Sequence, residues 1–176
     1  MSATRDGIAY VQSLERALNI MDVLSTKSEG YSIKDLSADT GLNKSTVHRL
    51  LQTLRAHGYV YQDRQTEEYH LGYKILELSA HVMESFDIRS IARPLLEELC
   101  ASTREAVHLS VLDDLDTIYI DKIDNAQRTI RMYSQIGKRI PVYCSATGKA
   151  LLSLMGPSQL GQLVSRISFE RKTNNT

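Results

Sequence analysis

Ser32-Ile33-Lys34-Asp35-Leu36-Ser37-Ala38-Asp39-Thr40-Gly41-Leu42-Asn43-Lys44-Ser45-Thr46-Val47-His48-Arg49-Leu50-Leu51-Gln52-Thr53-Leu54 is the stretch that decides the fold. It predicts a helix, a glycine turn and a second helix with one apolar and one hydrogen-bonding face. At roughly 100° per residue, Val47, Leu50, Leu51 and Leu54 fall on one side, the spacing of a core-facing stripe. Ser45, Arg49 and Gln52 point directly away, and Lys44, Thr46 and His48 flank them in the first turn. All six of these side chains can donate hydrogen bonds. Asn43 suits an N-cap for this helix, and Ser32 with Asp35 three residues on makes a capping-box signature for the one before. Gly41 stands where the turn needs a residue for which positive φ costs little.

A polar face opposite an apolar stripe is what any surface helix shows, so the pattern alone does not separate recognition from solvation. Three neighbouring features point to DNA. From Asn43 to Gly58 the chain carries Lys44, Arg49 and Arg55 and no acidic residue. Downstream, Tyr59-Val60-Tyr61-Gln62 and Glu68-Tyr69-His70-Leu71 are short β-prone runs around Asp63-Arg64-Gln65-Thr66-Glu67, a hairpin of the kind called a wing. Upstream, Leu14, Ala17, Leu18, Met21 and Leu24 predict a helix packing under the pair. The sum is a winged helix-turn-helix, whose second helix enters the major groove by its first turns. Lys44, Ser45, Thr46, His48, Arg49, Gln52 and wing residue Arg64 are the candidate DNA-binding residues.

Composition bounds the rest. The chain has 176 residues, 42% of them hydrophobic, with 21 basic and 21 acidic side chains and no formal net charge. This suits a soluble globular protein of one or two domains. Zero net charge argues against indiscriminate coating of nucleic acid, which rests on many phosphate contacts. The two cysteines, Cys100 and Cys144, lie far apart and outside any Cys/His cluster, so neither a zinc site nor a disulfide framework is expected. No signal peptide and no membrane-crossing run is read, and a cytoplasmic location is expected.

Residues 1–9 read as a flexible arm with Arg5 its single basic residue, and residues 10–72 as the winged domain. Residues 73–87 predict a linker helix striped by Ile75, Ser79, Val82, Met83 and Phe86. The remaining residues, 88–176, begin with a helix bearing Ile88, Ile91, Ala92, Leu95, Leu96, Leu99 and Cys100, which Pro94 is expected to bend or restart. The period then changes to two at Val107/Leu109/Val111, Ile118/Ile120 and Ile130/Met132, with turn chemistry at Asp113-Asp114-Leu115-Asp116. A helix capped by Ser145 follows, carrying Ala150, Leu151, Leu154 and Met155. A short one holds Leu160, Leu163 and Val164. The fold class is α+β: a winged helix, a helical linker and a second domain with an antiparallel sheet.

Enzyme chemistry finds little support. Ser145-Ala146-Thr147-Gly148-Lys149 resembles part of a phosphate loop, but Tyr143 and Ala150 occupy places where that motif needs Gly and Ser or Thr. His108 and Ser110 alternate along a strand without a nucleophile elbow, and nothing predicts a lowered pKa for Cys144. No cofactor and no metal site is expected. What remains is binding: a helix beginning at Ser145 favours an anion, and Arg131, Lys138, Arg139 and Lys149 lie near in sequence.

Val11-Gln12-Ser13-Leu14-Glu15-Arg16-Ala17-Leu18, Gly41-Leu42-Asn43-Lys44-Ser45-Thr46-Val47-His48-Arg49, His57-Gly58-Tyr59-Val60 and Tyr69-His70-Leu71-Gly72 together resemble the IclR family of bacterial transcription regulators. Ile91-Ala92-Arg93-Pro94-Leu95-Leu96, Tyr119-Ile120-Asp121-Lys122-Ile123 and Gly148-Lys149-Ala150-Leu151-Leu152 resemble its effector domain. The resemblance implies a GAF-like or profilin-like second domain that binds a small organic molecule. It also implies dimers, or dimers of dimers (a homotetramer), on palindromic double-stranded operators. It places Lys44, Ser45, Thr46, His48 and Arg49 at the DNA and Ser145, Ala146 and Thr147 in the effector pocket, with Arg131 as a further effector contact. Arg131-Met132-Tyr133-Ser134, Ile136-Gly137 and Pro141-Val142-Tyr143 resemble members controlling sugar-acid catabolism, which implies a sugar-acid effector. In the family the segment Arg171–Thr176 lies mid-domain, so the effector domain is expected to be incomplete at its C-terminus and to expose a sheet edge. The expected function is a repressor of a catabolic operon, without enzymatic activity; the alternative is a winged-helix protein-interaction module that neither binds DNA nor senses a ligand.

Overall fold

The computed structural model describes residues 10–85, 87–124 and 135–173. Two compact units divide the chain, Met1–Val82 and Met83–Thr176. The arm at 1–9, the strand expected around Ile130 and Met132, and Arg131 itself lie outside the described residues.

In the first unit, helices α1 (Gln12–Leu24), α2 (Ile33–Thr40) and α3 (Lys44–Ala56) precede strands β1 (Val60–Gln62) and β2 (Tyr69–Leu71), and α4 begins at Tyr73. The caps form where the sequence places them. The Ser32 hydroxyl accepts the Asp35 N–H at 3.1 Å and donates to the Asp35 carboxylate at 2.7 Å. The Asn43 side chain accepts the Thr46 N–H at 2.8 Å. Gly41 closes α2 with φ +70°, a left-handed cap that a Cβ would strain. Strands β1 and β2 pair antiparallel, Val60 opposite Leu71 and Gln62 opposite Tyr69. Tyr31 adds two backbone hydrogen bonds to Tyr69, at 3.0 and 2.9 Å, and extends the wing's sheet by one residue. Ile20, Leu24, Tyr31, Leu36, Val47, Leu51, Val60 and Tyr69 form one buried cluster to which all three helices and both strands contribute.

Helix α1 departs from expectation. Ile20 and Leu24 are its buried residues, with Val23 packed against the cluster, whereas Leu14 and Leu18 are more than half exposed. Apolar residues occupy more than one side of this short helix, and periodicity does not tell which side the core takes.

In the second unit, α5 (Asp87–Thr103) precedes β3 (Val107–Asp113), β4 (Asp116–Ile123) and β5 (Arg139–Pro141). A 3-10 turn at Val142–Cys144 leads to α6 (Ala146–Ser153) and α7 (Pro157–Val164). The sheet is antiparallel in the order β3-β4-β5. Asp114 and Leu115 form the tight β3–β4 turn, Asp113 facing Asp116 and Asp114 at φ +54°. Strand β5 was not foreseen, because three residues ending in Pro141 show no alternation to read.

Helix α5 runs unbroken through Pro94 rather than restarting there. It packs on β3 and β4, but through Cys100 and partly through Ala92 and Leu96. Ile88, Ile91, Leu95 and Leu99 of the expected stripe are exposed. Helix α4 (Tyr73–Glu84) buries none of its residues, and Leu154, assigned to the stripe of α6, is exposed. Gly148 fits for a local reason: a Cβ there would stand 2.2 Å from the Val142 carbonyl oxygen, so only glycine lets α6 start against the 3-10 turn.

Candidate nucleic-acid interface

Helix α3 turns Val47 and Leu51 fully inward, which fixes the opposite face outward. Lys44, Ser45, His48 and Arg49 are exposed; Thr46 and Gln52 are half-buried at the margin. The hydroxyl of Ser45 donates to the Asn43 side chain at 2.9 Å, so it is engaged in the cap rather than presented freely. Gln52 and His48, one turn apart, meet Nε2 to Nε2 at 3.4 Å. The Arg49 carbonyl accepts the Thr53 hydroxyl at 3.2 Å, leaving the guanidinium to project from an exposed residue.

The wing is built around its own turn. Asp63 Oδ1 accepts the N–H groups of Gln65 at 2.7 Å and Thr66 at 2.9 Å. The Thr66 and Gln65 N–H groups hold the Asp63 carboxyl below its ordinary range. Arg64 is therefore carried at an exposed, internally braced tip. A second brace reaches from α3: Arg55 Nη1 donates to Gln62 Oε1 at 3.4 Å, and Gln62 Nε2 donates to the Glu67 carbonyl at 2.9 Å. Sequence reading counted Arg55 only as local positive charge. Its role in tying the wing to α3 needs the pairing register of β1 and β2, which composition does not reveal.

In the second unit, Ser145 caps α6 by accepting the Gly148 N–H at 3.0 Å, and Thr147 Oγ1 lies 3.5 Å from the same hydroxyl. Ala146 is exposed and Thr147 half-buried. Their backbone N–H groups stand in the first turn of α6, where no acceptor exists within the helix. Arg139 is not available to this helix end. It pairs with Asp113 and, at 3.4 Å, with Asp116; the hydrogen bond to Asp113 first among these contacts raises its pKa. The positive charge expected from Arg139 is thus spent on the β3–β4 turn.

Sequence reading missed a different cluster. Asp121 on β4 is 1% exposed; its carboxylate accepts from Arg93 Nη1 of α5 at 3.2 Å and from the Lys122 N–H at 2.9 Å, and Arg89 Nε of α5 stands 3.4 Å away as an ion pair without hydrogen-bond geometry. Arg93 also reaches Glu97 at 3.1 Å. A buried carboxylate needs such partners to remain charged. The three residues border an open cleft of about 300 Å³ that Met83, Glu84, Asp87 and Ser90 complete. The signal available beforehand was Arg89 and Arg93 four apart on one helix face, interrupting an apolar pattern. Ile120 beside Asp121 is also buried, at the point where the β3–β4 register slips and leaves it without a partner residue. His108 is half-buried, its ring 4.7 Å from that of Tyr119. Among the described residues, no three His, Cys, Asp or Glu side chains converge as a metal would require, and no helix is long and apolar enough to cross a membrane.

Comparison with known proteins agrees with this architecture. Residues 13–64 match the IclR helix-turn-helix domain, and residues 80–176 match the bacterial transcriptional regulator IclR C-terminal domain. The chain is 39% identical over 166 residues to the HTH-type transcriptional regulator XynR of Escherichia coli, covering 94% of this chain and 66% of that protein. It is 36% identical over 157 residues to the DNA-binding transcriptional repressor YiaJ of the same organism, covering 89% and 56%. The crystal structure of Thermotoga maritima IclR superposes with a TM-score of 0.70 at 27% identity, covering 95% of this chain and 67% of that one. The chain thus spans between about half and two-thirds of the length of these curated relatives. With both domain models matched and the winged helix and α+β unit in place, the chain belongs to the IclR family of bacterial transcriptional regulators.

Proposed function

We propose that this chain is a DNA-binding transcription regulator, a repressor of a catabolic operon, whose operator affinity is set by a small organic-acid effector. The observation that carries this reading is α3: its exposed face offers Lys44, His48, Arg49 and Gln52, and no acidic residue lies between Asn43 and Gly58. Lys44, Thr46 and Arg64 hold phosphates with their side chains and Ser45 with its first-turn backbone N–H, and Arg49 and Gln52 meet base edges. In this reading residues 10–72 are the reading head, 73–87 the linker helix and 88–176 the sensor, all in the cytoplasm.

The operator is palindromic double-stranded DNA because the regulator is a homodimer, or a dimer of dimers. Val11, Leu14 and Leu18 are exposed along one side of α1, and Tyr73, Leu76 and Val82 along α4. A 12-residue helix with nothing buried is marginal by itself, and a second copy supplies the missing partner. The effector, a sugar acid, meets the first turn of α6 at Ser145, Ala146 and Thr147, with Arg131 as a counter-charge. It acts only through different affinities for the DNA-binding and non-binding arrangements.

Fluorescence anisotropy with duplex DNA from upstream of the chain's own coding region tests this. Binding that weakens as salt rises, and that shifts with one of a panel of sugar acids, is expected. No binding at low salt would favour the protein-interaction module instead.

A further inference from the structure

We propose that His48 and Gln52 read one A·T base pair as a unit, His48 fixing which way the Gln52 amide faces. This rests on α3 lying in the major groove, as argued above. The two side chains are one turn apart on the outward face, with 3.4 Å between their Nε2 atoms. An amide nitrogen only donates, so in this arrangement His48 Nε2 is the acceptor of the pair. One hydrogen of the Gln52 amide nitrogen is thereby directed at His48. The other hydrogen and Oε1 remain, a donor and an acceptor side by side on a flat group. Adenine presents the complement in the major groove, an N7 acceptor beside the N6 donor.

Without His48, nothing selects between the two amide orientations, because the terminal torsion of a glutamine is broad and roughly two-fold. Neighbouring hydroxyls on this helix do not substitute: Ser45 donates to Asn43, and Thr53 donates to the Arg49 carbonyl. Arg49 is a donor-only group, matched to the two acceptors of guanine rather than to adenine. The same face therefore divides its reading between a guanine-matched residue and an adenine-matched pair.

The test is selection of duplexes from random DNA by the full chain, followed by competition titrations with every single-pair substitution of the selected site. One half-site position is expected to hold A·T, with its replacement by G·C or T·A weakening binding about tenfold. His48→Ala and Gln52→Ala should each flatten that position to within about twofold, and the double variant should do no more than either single change. The pair is overturned if His48→Ala retains the A·T preference, or weakens all sequences equally as loss of a phosphate contact does. A wild-type chain that enriches no sequence would overturn the DNA-binding reading itself, and the pair with it.

Discussion

The two units differ in how much of their apolar side-chain surface they close into a core. In the first, seven side chains from three helices and two strands, with Tyr31 from the bridge before α2, close into a single buried cluster. In the second, which is of similar length, the buried apolar residues among those described are Cys100, Ile120 and Val142, while Ile88, Ile91, Leu95 and Leu99 line an exposed side of α5. Besides Cys100, Ala92 and Leu96, an ionic contact holds α5 to the sheet, Asp121 with Arg89 and Arg93. The lesson is that the first unit closes a larger apolar core, while both units leave apolar side chains exposed, on α1 and α4 in the first and on α5 in the second.

The largest effect is expected where packing is complete. Leu51→Ala, at a fully buried position, should cost about 3 kcal/mol and abolish DNA binding, since α3 loses the residue that seats it. Leu95→Ala, on the exposed side of α5, should change stability by less than about 0.5 kcal/mol. Hydrogen exchange resolved along the chain measures both; similar losses would erase the contrast between the units. Asp121→Asn comes next. It removes the charge that both arginines share and should destabilise the second unit by about 1 to 3 kcal/mol. That is below the cost of breaking a fully buried pair, because the arginines are partly hydrated. Exchange in α5 and β4 should rise while that in α3 stays unchanged.

The smallest effect is the pH dependence that His108 gives the second unit just below the ordinary histidine range. Burial lowers the pKa of His108, with Lys122 adding to the shift. Below the ordinary histidine value of 6.5, the unfolded chain takes up the proton before the folded one does. Stability is therefore lost as pH falls through the interval down to the lowered folded value, then levels off. His108→Phe should flatten this dependence in an acid-unfolding series followed in β3 and β4.

What was legible beforehand follows the same division. The caps at Ser32 and Asn43, the turn at Gly41, the wing strands and the outward face of α3 were readable because local chemistry and a closed core agree there. The inner side of α1 was misjudged at Leu14 and Leu18, where apolar residues on several sides leave the choice to tertiary contacts. In α5 the apolar pattern marked a helix but not its inner side: Arg89 and Arg93 meet Asp121 of the sheet, a carboxylate on a strand distant in sequence. Strand β5 and the Arg55–Gln62–Glu67 brace depend on pairing register and had no local signature. For the ligand end, Ser145 was correctly read as a cap, while the pairing of Arg139 with Asp113, across the sheet, had no local signature.

The central claim, that the outward face of α3 reads DNA, is tested most directly by measuring salt-dependent affinity for a selected operator and for random duplex with Arg49→Ala and Lys44→Ala. The account predicts that Arg49→Ala loses its preference for the operator, by about 1 to 3 kcal/mol of discrimination. Lys44→Ala should weaken both DNAs alike and lower the salt slope by about one unit. Equal losses from both variants on both DNAs, with no change in preference, would contradict it.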